Sequence, residues 1–193
     1  MFNHTWKKEL LTIPNFLSLI RLLLIPVYIN IYQRATQPID YILAGSVLAI
    51  SCLTDFADGK IAREFHMVSQ AGKLLDPLAD KMTQFALLLT VSKKHRMLYP
   101  VLALFIVKEV FQCVSLLLFL QKGKVLPGAL FAGKLCTAIL FASLLTLVLF
   151  PQVKSAIVSV LVTIDSVFLL LSFYEYLQAY FGKNPKLTNL KQE

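Results

Sequence analysis

Residues 54–81 read TDFADGKIAREFHMVSQAGKLLDPLADK and place four aspartates at the edges of two apolar stretches. The four are Asp55, Asp58, Asp76 and Asp80. An ionised carboxylate beside hydrocarbon costs several kcal/mol of free energy unless a cation or hydrogen-bond donors meet it. The stretch therefore predicts a site for something cationic at the ends of two buried helices.

The composition around this stretch is that of a membrane protein. The chain has 193 residues, of which 57% are hydrophobic and only 16% charged, and at this length a single domain is the default. A net charge of +8 is compatible with nucleic acid or with an anionic membrane surface as a partner. Because so much of the chain is apolar, we expect membrane lipid and no nucleic acid.

Six apolar segments are long enough to cross a bilayer as helices, for which about 20 residues are needed. They cover residues 13–32, 41–59, 74–92, 99–120, 129–150 and 155–177. Residues 1–12 are more polar and include a tryptophan, which is typical of a helix lying in the membrane interface. The sequence therefore predicts an all-α polytopic membrane protein in one domain, residues 1–193. It has an interfacial segment (1–12), six transmembrane helices (13–177) and a cytoplasmic tail (178–193).

The distribution of lysine and arginine between the loops predicts the orientation, because basic residues favour the cytoplasmic side. With the N-terminus inside, the inner segments hold Lys7, Lys8, Lys60, Arg63, Lys73, Lys122, Lys124, Lys183, Lys186 and Lys191. The outer loops hold Arg34, Lys93, Lys94, Arg96 and Lys154. Both termini and all four aspartates are therefore expected at the cytoplasmic face.

Helical spacing groups the aspartates into two stripes, since residues three or four apart share a face. One stripe is Asp55, Asp58, Gly59 and Ala62, and the other is Gly72, Asp76, Ala79 and Asp80. Carboxylates converging between two helices suit hard cations such as Mg²⁺ or Mn²⁺, and paired ions are a recurrent device of phosphoryl chemistry. The alternative is that the carboxylates are solvated or paired with Lys60, Arg63, Lys73 and Lys81.

The spacing Asp55-x2-Asp58-Gly59-x2-Ala62-Arg63-x8-Gly72-x3-Asp76-x3-Asp80 resembles the signature of the CDP-alcohol phosphotransferase family in every fixed position. Members are integral membrane enzymes that move a phosphatidyl-type group from a CDP-linked donor to an alcohol and release CMP. The resemblance implies that the four aspartates bind two Mg²⁺ or Mn²⁺ ions and that Asp80 is also the general base. It further implies a CDP-diacylglycerol site that includes Gly59, Ala62, Arg63, Ser69 and Gly72.

Three further motifs concern the acceptor alcohol. IPNFLSLIRLLLIP resembles the PNxLTxxR opening of the branch that accepts glycerol 3-phosphate, which adds Asn15 and Ser18 to the donor site and Arg21 to an acceptor phosphate site. LFAGKLCT resembles that branch's GKxxT stretch and adds Lys134. FIVKEVFQ resembles its RE pair and adds Lys108 to the acceptor phosphate site, although a lysine stands in place of arginine and cannot bind phosphate in a bidentate manner. A lysine–glutamate pair locking helices together is the alternative for Lys108.

The expected function is transfer of the phosphatidyl group of CDP-diacylglycerol to glycerol 3-phosphate in the cell (plasma) membrane, with the active site facing the cytoplasm. Phosphatidylglycerol (giving cardiolipin), inositol phosphate, inositol and serine remain alternative acceptors, and a small divalent-cation transporter is a more distant alternative. Homodimers are common in the family, so a second copy of the chain is a candidate partner. Tyr174, Glu175 and Tyr176 are predicted to be interfacial anchors near the inner end of the last apolar segment, and the role of Asp165 is left open.

Overall fold

The computed structural model describes residues 13–64, 72–126, 130–182 and 187–189, and helices make up nearly all of them. The α-helices are α1 Ile13–Arg34, α2 Pro38–Glu64, α3 Gly72–Lys94, α4 Tyr99–Gln121, α5 Phe131–Leu149 and α6 Ser155–Phe181. A 3-10 turn, Arg96–Leu98, precedes α4, and two short strands, β1 Lys124–Val125 and β2 Thr188–Asn189, pair antiparallel. The predicted all-α class is thus confirmed.

Each apolar segment identified in the sequence corresponds to one helix. Within the part of the chain that the structure describes, three helical stretches are long and apolar enough to cross a membrane: Arg96–Gln121, Phe131–Leu149 and Ser155–Phe181. The chain therefore carries membrane-type helices, while the total of six crossings stays a prediction. Residues 1–12, which the sequence assigns to an interfacial helix, lie outside the described residues.

Local sequence explains where the helices begin and end. Pro38 opens α2, a position where its missing N–H is tolerated, and the Asp40 carboxylate accepts the N–H groups of Thr36 and Gln37, each at 2.9 Å. These hydrogen bonds hold the pKa of Asp40 below its ordinary value. Beyond the C-terminal end of α4, Gly123 adopts a left-handed φ of 68°, a conformation that terminates the helix.

The helices fall into two compact units. Unit 1 comprises Met1–Val91 with Val148–Pro151, and unit 2 comprises Ser92–Leu147 with Gln152–Glu193. In unit 1, a three-residue connection joins α1 to α2, and the two helices are in extensive contact. The Tyr32 ring meets the Tyr41 ring edge-on beside this connection, with centroids 5.6 Å apart.

Side-chain contacts fix the direction of the helices within each unit. In unit 1, Arg21 contacts Asp80 and Tyr28 contacts Thr90, so α1 and α3 run parallel.

In unit 2, Ala132 contacts Glu175 and Ser143 contacts Asp165, so α5 and α6 run antiparallel. Phe111 packs on Phe173 and Phe119 on Tyr180, so α4 and α6 run parallel. In both units, helices two apart in the chain point the same way, as expected of successive membrane crossings.

Candidate active site

The buried face of α1 carries two of the residues that the sequence assigns to the site. Ser18, Arg21, Tyr28 and Tyr32 recur at helical spacing and are all buried, with Arg21 only 2% exposed. A buried guanidinium is costly unless an anion or hydrogen-bond acceptors surround it. This face of α1 therefore has to meet an acidic group.

That group is Asp80 of α3. Arg21 Nη1 donates to Asp80 Oδ1 at 2.8 Å, across 59 residues of sequence. The Asp80 side chain is 46% exposed, whereas that of Arg21 is 2% exposed. The structure thus brings together the predicted general base and one of the predicted phosphate-binding residues, and it leaves the carboxylate accessible from one side.

The remaining signature residues are placed by their helices. Asp55, Asp58, Gly59, Ala62 and Arg63 lie on the C-terminal part of α2, and Gly72 and Asp76 lie on the first turns of α3. Their side chains, and that of Asn15 near the start of α1, are outside the part of the structure that is described, as is the whole of Ser69. The two predicted stripes therefore do lie on helices, and their convergence stays a prediction.

The donor set fits a divalent cation by its chemistry. Asp55 and Asp58 are three residues apart on α2, and Asp76 and Asp80 are four apart on α3, a spacing that predicts two carboxylates on one face of each helix. Oxygen-only ligands suit Mg²⁺ and Mn²⁺. Among the side chains that the structure describes, which include only Asp80 of these four, no group of three or more metal-ligating residues occurs.

Unit 2 holds the other two predicted phosphate-binding residues. Lys108 of α4 is 4% exposed, and its Nζ lies 2.7 Å from Glu109 Oε1 and 5.7 Å from the centroid of the Tyr176 ring. Because Lys108 and Glu109 are neighbours on one helix, their ion pair does not by itself lock two helices together, as one alternative supposed. Lys108 also contacts another helix, since its Nζ lies over the aromatic ring of Tyr176.

Lys134 lies exposed in the first turn of α5, beside a close contact between helices. A Cβ on Gly133 would come 2.9 Å from Tyr176 Oη, and the Thr137 hydroxyl donates to the Gly133 carbonyl at 2.9 Å. Arg21 belongs to unit 1, whereas Lys108 and Lys134 belong to unit 2. That these three cations serve one phosphate stays a prediction.

The sequence interpretation of residues 174–176 was wrong for Tyr176. Tyr174 is 61% exposed, as an interfacial anchor would be, but Tyr176 is 4% exposed and packs inside unit 2. The buried residues Asp165, Leu169, Ser172 and Tyr176 recur every three or four positions. Because α6 is apolar on nearly every side, its sequence alone does not distinguish this inward face from the others.

Asp165, whose role the sequence left open, lies on the same inward face. Its Oδ1 accepts a hydrogen bond from the Ser143 hydroxyl at 2.9 Å, and the residue is 1% exposed. Oδ2 has no hydrogen-bond partner among the described residues. Asp165 therefore joins α5 to α6 inside unit 2.

Apolar helices of membrane-crossing length and a carboxylate motif on α2 and α3 define a helical membrane protein with a candidate metal-dependent site. The chain belongs to the CDP-alcohol phosphatidyltransferase family, whose model matches residues 11–171.

Three relatives illustrate the similarity. The chain is 35% identical over 82 residues to a CDP-diacylglycerol–glycerol-3-phosphate 3-phosphatidyltransferase of Rickettsia bellii (42% of this chain, 45% of the relative). It is 31% identical over 120 residues to the protein of that name in Pseudomonas fluorescens (61% of each chain). It is 30% identical over 131 residues to a CMP-forming cardiolipin synthase of Streptomyces coelicolor (67% of this chain, 61% of the relative). The matched stretches thus span about half to three-fifths of these relatives.

Proposed function

We propose that the chain is a phosphatidyltransferase that moves the phosphatidyl group of CDP-diacylglycerol to glycerol 3-phosphate, releasing CMP and forming phosphatidylglycerophosphate. The observation that carries this proposal is the complete family signature between Asp55 and Asp80, within a family match over residues 11–171. The names of the Rickettsia and Pseudomonas relatives support the choice of donor and acceptor. In this proposal the protein is an enzyme of phospholipid biosynthesis.

In the proposed site, Asp55, Asp58, Asp76 and Asp80 hold two Mg²⁺ or Mn²⁺ ions. When bound, such ions polarise the donor diphosphate and stabilise the negative charge on the CMP leaving group. Asp80 takes the proton of the acceptor hydroxyl, which is a poor nucleophile at neutral pH. The half-exposed carboxylate of Asp80 supports this role, because an acceptor can approach it while Arg21 holds one of its oxygens.

In the proposed donor site, small side chains make room for the nucleotide and Arg63 binds the diphosphate through its planar guanidinium. The residues assigned to it are Asn15, Ser18, Gly59, Ala62, Arg63, Ser69 and Gly72. The acyl chains of CDP-diacylglycerol remain in the surrounding lipid. A site between α2 and α3 at the membrane surface satisfies the charged, polar and apolar parts of this donor together.

The proposed arrangement is one membrane domain with six crossings, an interfacial segment at residues 1–12 and both termini in the cytoplasm. The parallel pairs α1–α3 and α4–α6, and the antiparallel pair α5–α6, support alternating crossings within each unit. The enzyme resides in the plasma membrane with the active site at the cytoplasmic face. The proposal also includes a homodimer, for which the only support is that homodimers are common in the family.

The acceptor is the finer part of the proposal. Arg21 and Lys108 are cations inside apolar helices and are almost fully buried, and intramembrane charges are functional by default. Such cations favour an acceptor that carries its own phosphate, as glycerol 3-phosphate does. Phosphatidylglycerol is also anionic, and the name of the Streptomyces relative supports it as the second candidate.

The test is CMP release by the purified protein in detergent, supplied with Mg²⁺, CDP-diacylglycerol and one acceptor at a time. The panel is glycerol 3-phosphate, phosphatidylglycerol, inositol phosphate, inositol and serine. We expect CMP and a lipid product with glycerol 3-phosphate. Release with phosphatidylglycerol instead would reassign the acceptor, and no release with any acceptor would favour the cation transporter.

A further inference from the structure

The start of α5 needs a hydrogen-bond acceptor that its own sequence does not supply. The first N–H groups of a helix have no partner within the helix, and a polar side chain at the preceding residue usually satisfies one of them. Leu130, which precedes Phe131, has no side-chain oxygen. The N–H of Ala132 donates instead to Glu175 Oε2 of α6, at 2.9 Å.

Glu175 therefore caps α5 from another helix, 43 residues further along the chain. A carboxylate at a helix N-terminus also interacts favourably with the positive end of the helix dipole. Ala132 and Glu175 both belong to unit 2. Their contact fixes where the first turn of α5 lies against α6.

The next residue of α6 restricts the same turn from a second side. The Tyr176 ring lies so close to Gly133 that an added Cβ would come 2.9 Å from Oη and 3.0 Å from Cε2. The same ring lies 5.7 Å from Lys108 Nζ, measured to the ring centroid. One dipeptide, Glu175–Tyr176, thus contacts both the start of α5 and the buried lysine of α4.

Lys134 is the residue whose position depends most directly on this contact. It follows Gly133 in the first turn of α5, and its own N–H donates to the Leu130 carbonyl at 3.1 Å. If the Ala132–Glu175 hydrogen bond is lost, the first turn can unwind, and the backbone that carries Lys134 moves with it.

We propose that Glu175 is a positioning residue for acceptor recognition: its carboxylate holds the first turn of α5 so that Lys134 is presented to the phosphate of the acceptor. This inference rests on the proposed function, because it needs Lys134 to bind that phosphate. It assigns Glu175 no contact with the donor or with the reacting atoms. Its loss therefore alters acceptor affinity and leaves donor affinity and turnover largely unchanged.

The test compares substitutions at Glu175 by steady-state kinetics and by equilibrium binding of labelled glycerol 3-phosphate. Glu175→Ala removes the acceptor of the Ala132 N–H, and we expect KM and Kd for glycerol 3-phosphate to rise about tenfold, the effect of losing one charge-assisted hydrogen bond. The KM for CDP-diacylglycerol and kcat should stay within about twofold. Glu175→Gln keeps an oxygen at the same place and should restore most of the affinity.

A matched control and a second variant separate positioning from general damage. Tyr174 is next to Glu175 but is exposed, and its hydroxyl accepts a hydrogen bond from Gln178 Nε2 of the same helix, so Tyr174→Phe should behave as wild type. If Glu175→Ala does not fold, Glu175→Asp retains the charge on a shorter side chain. It should give the same change in acceptor KM to a smaller extent.

A double substitution tests whether Glu175 acts through Lys134. In the Lys134→Gln background, Glu175→Ala should raise the acceptor KM by less than about twofold further, because residues that act as a unit are not additive. Additive effects, equal changes in both KM values, or a Glu175→Gln as impaired as Glu175→Ala would each overturn the positioning role.

Failure of the proposed function is distinguished from failure of the positioning role, because in the former case the wild type forms no product from glycerol 3-phosphate. The Glu175 series is then measured with the acceptor that the wild type uses. The same selective rise in acceptor KM supports the positioning role there, and its absence overturns it.

Discussion

The two units differ in how they accommodate a buried cation. In unit 1, Arg21 of α1 pairs with Asp80 of α3, so the ion pair joins two helices and includes a residue of the family signature. In unit 2, Lys108 pairs with its neighbour Glu109, and its Nζ lies over the Tyr176 ring of another helix. The first arrangement fixes a carboxylate, whereas the second places a cation over a ring that also packs against Gly133 in the first turn of α5.

The exposure of the partners sharpens this difference. The Asp80 side chain is 46% exposed, so solvent screens its attraction to Arg21, and the pair adds little to the stability of the fold. Holding an accessible carboxylate in one orientation is more useful for chemistry than for stability. We therefore expect substitutions in unit 1 to affect turnover and those in unit 2 to affect acceptor affinity.

Removing divalent metal should have the largest effect and should act through unit 1. With EDTA we expect CMP release to fall to background, because four carboxylates without cations repel the donor diphosphate. Added Mg²⁺ or Mn²⁺ should restore the rate. Full activity in metal-free buffer would exclude the proposed two-metal site.

Substitution of Asp80 should have the next largest effect. Asp80→Asn keeps an oxygen that can accept from Arg21 but cannot take a proton, and we predict a loss of at least ~10²-fold in kcat, as for removal of a general base. Binding of CDP-diacylglycerol should persist. Asp40→Asn is the matched control, since Asp40 accepts backbone N–H groups at the start of α2, outside the signature. A near-wild-type rate for Asp80→Asn across the pH range would contradict the role of Asp80 as general base.

The same comparison explains what could be predicted from the sequence. Helix positions follow from the length and spacing of apolar residues, which are local properties, and each predicted segment corresponds to one helix. The sequence also suggested a Lys108–Glu109 pair, but as a lock between helices, whereas both members lie on α4. The Arg21–Asp80 pair was not predictable, since its residues are 59 apart and their meeting depends on how α1 packs on α3.

The misinterpretation of residues 174–176 has a related cause. Tyrosine and glutamate near the end of an apolar helix are typical of an interfacial position, and that rule holds for Tyr174. It fails for Tyr176 because α6 turns by about 100° per residue, so neighbours face different surroundings. Glu175 caps α5 for the same reason, and no local pattern in residues 174–176 indicates a partner 43 positions away.

Substitution of Lys134 should change acceptor affinity rather than turnover. Lys134→Gln removes a charge-assisted contact worth roughly 1.5–3 kcal/mol, so the KM for glycerol 3-phosphate should rise about ten- to hundredfold. The KM for CDP-diacylglycerol should barely move. Lys154→Gln is the control, because Lys154 is an exposed lysine just before α6. Equal changes in both constants would contradict the acceptor role of Lys134.

The smallest expected effect concerns the close contact at Gly133. In Gly133→Ala the new Cβ meets Tyr176, and overpacking costs about 1–3 kcal/mol, partly offset by about 1 kcal/mol of helix propensity. We therefore predict a modest fall in the thermal midpoint and a rise of about fivefold in the KM for glycerol 3-phosphate, corresponding to about 1 kcal/mol. Tyr176→Phe in the same chain should restore part of the affinity, because it removes the atom nearest to the new Cβ while Cε2 remains at 3.0 Å.

A control for this last comparison is Gly45→Ala in α2. Its new Cβ would meet the Leu149 side chain within unit 1, and Gly45 is not part of the proposed substrate sites. We expect Gly45→Ala to lower the thermal midpoint and to leave the acceptor KM unchanged. Both quantities are measured for Gly133→Ala, Tyr176→Phe, their combination and Gly45→Ala. If Gly45→Ala raises the acceptor KM as much as Gly133→Ala does, that KM reports general loosening of the helices. Acceptor recognition would then no longer be assigned to unit 2.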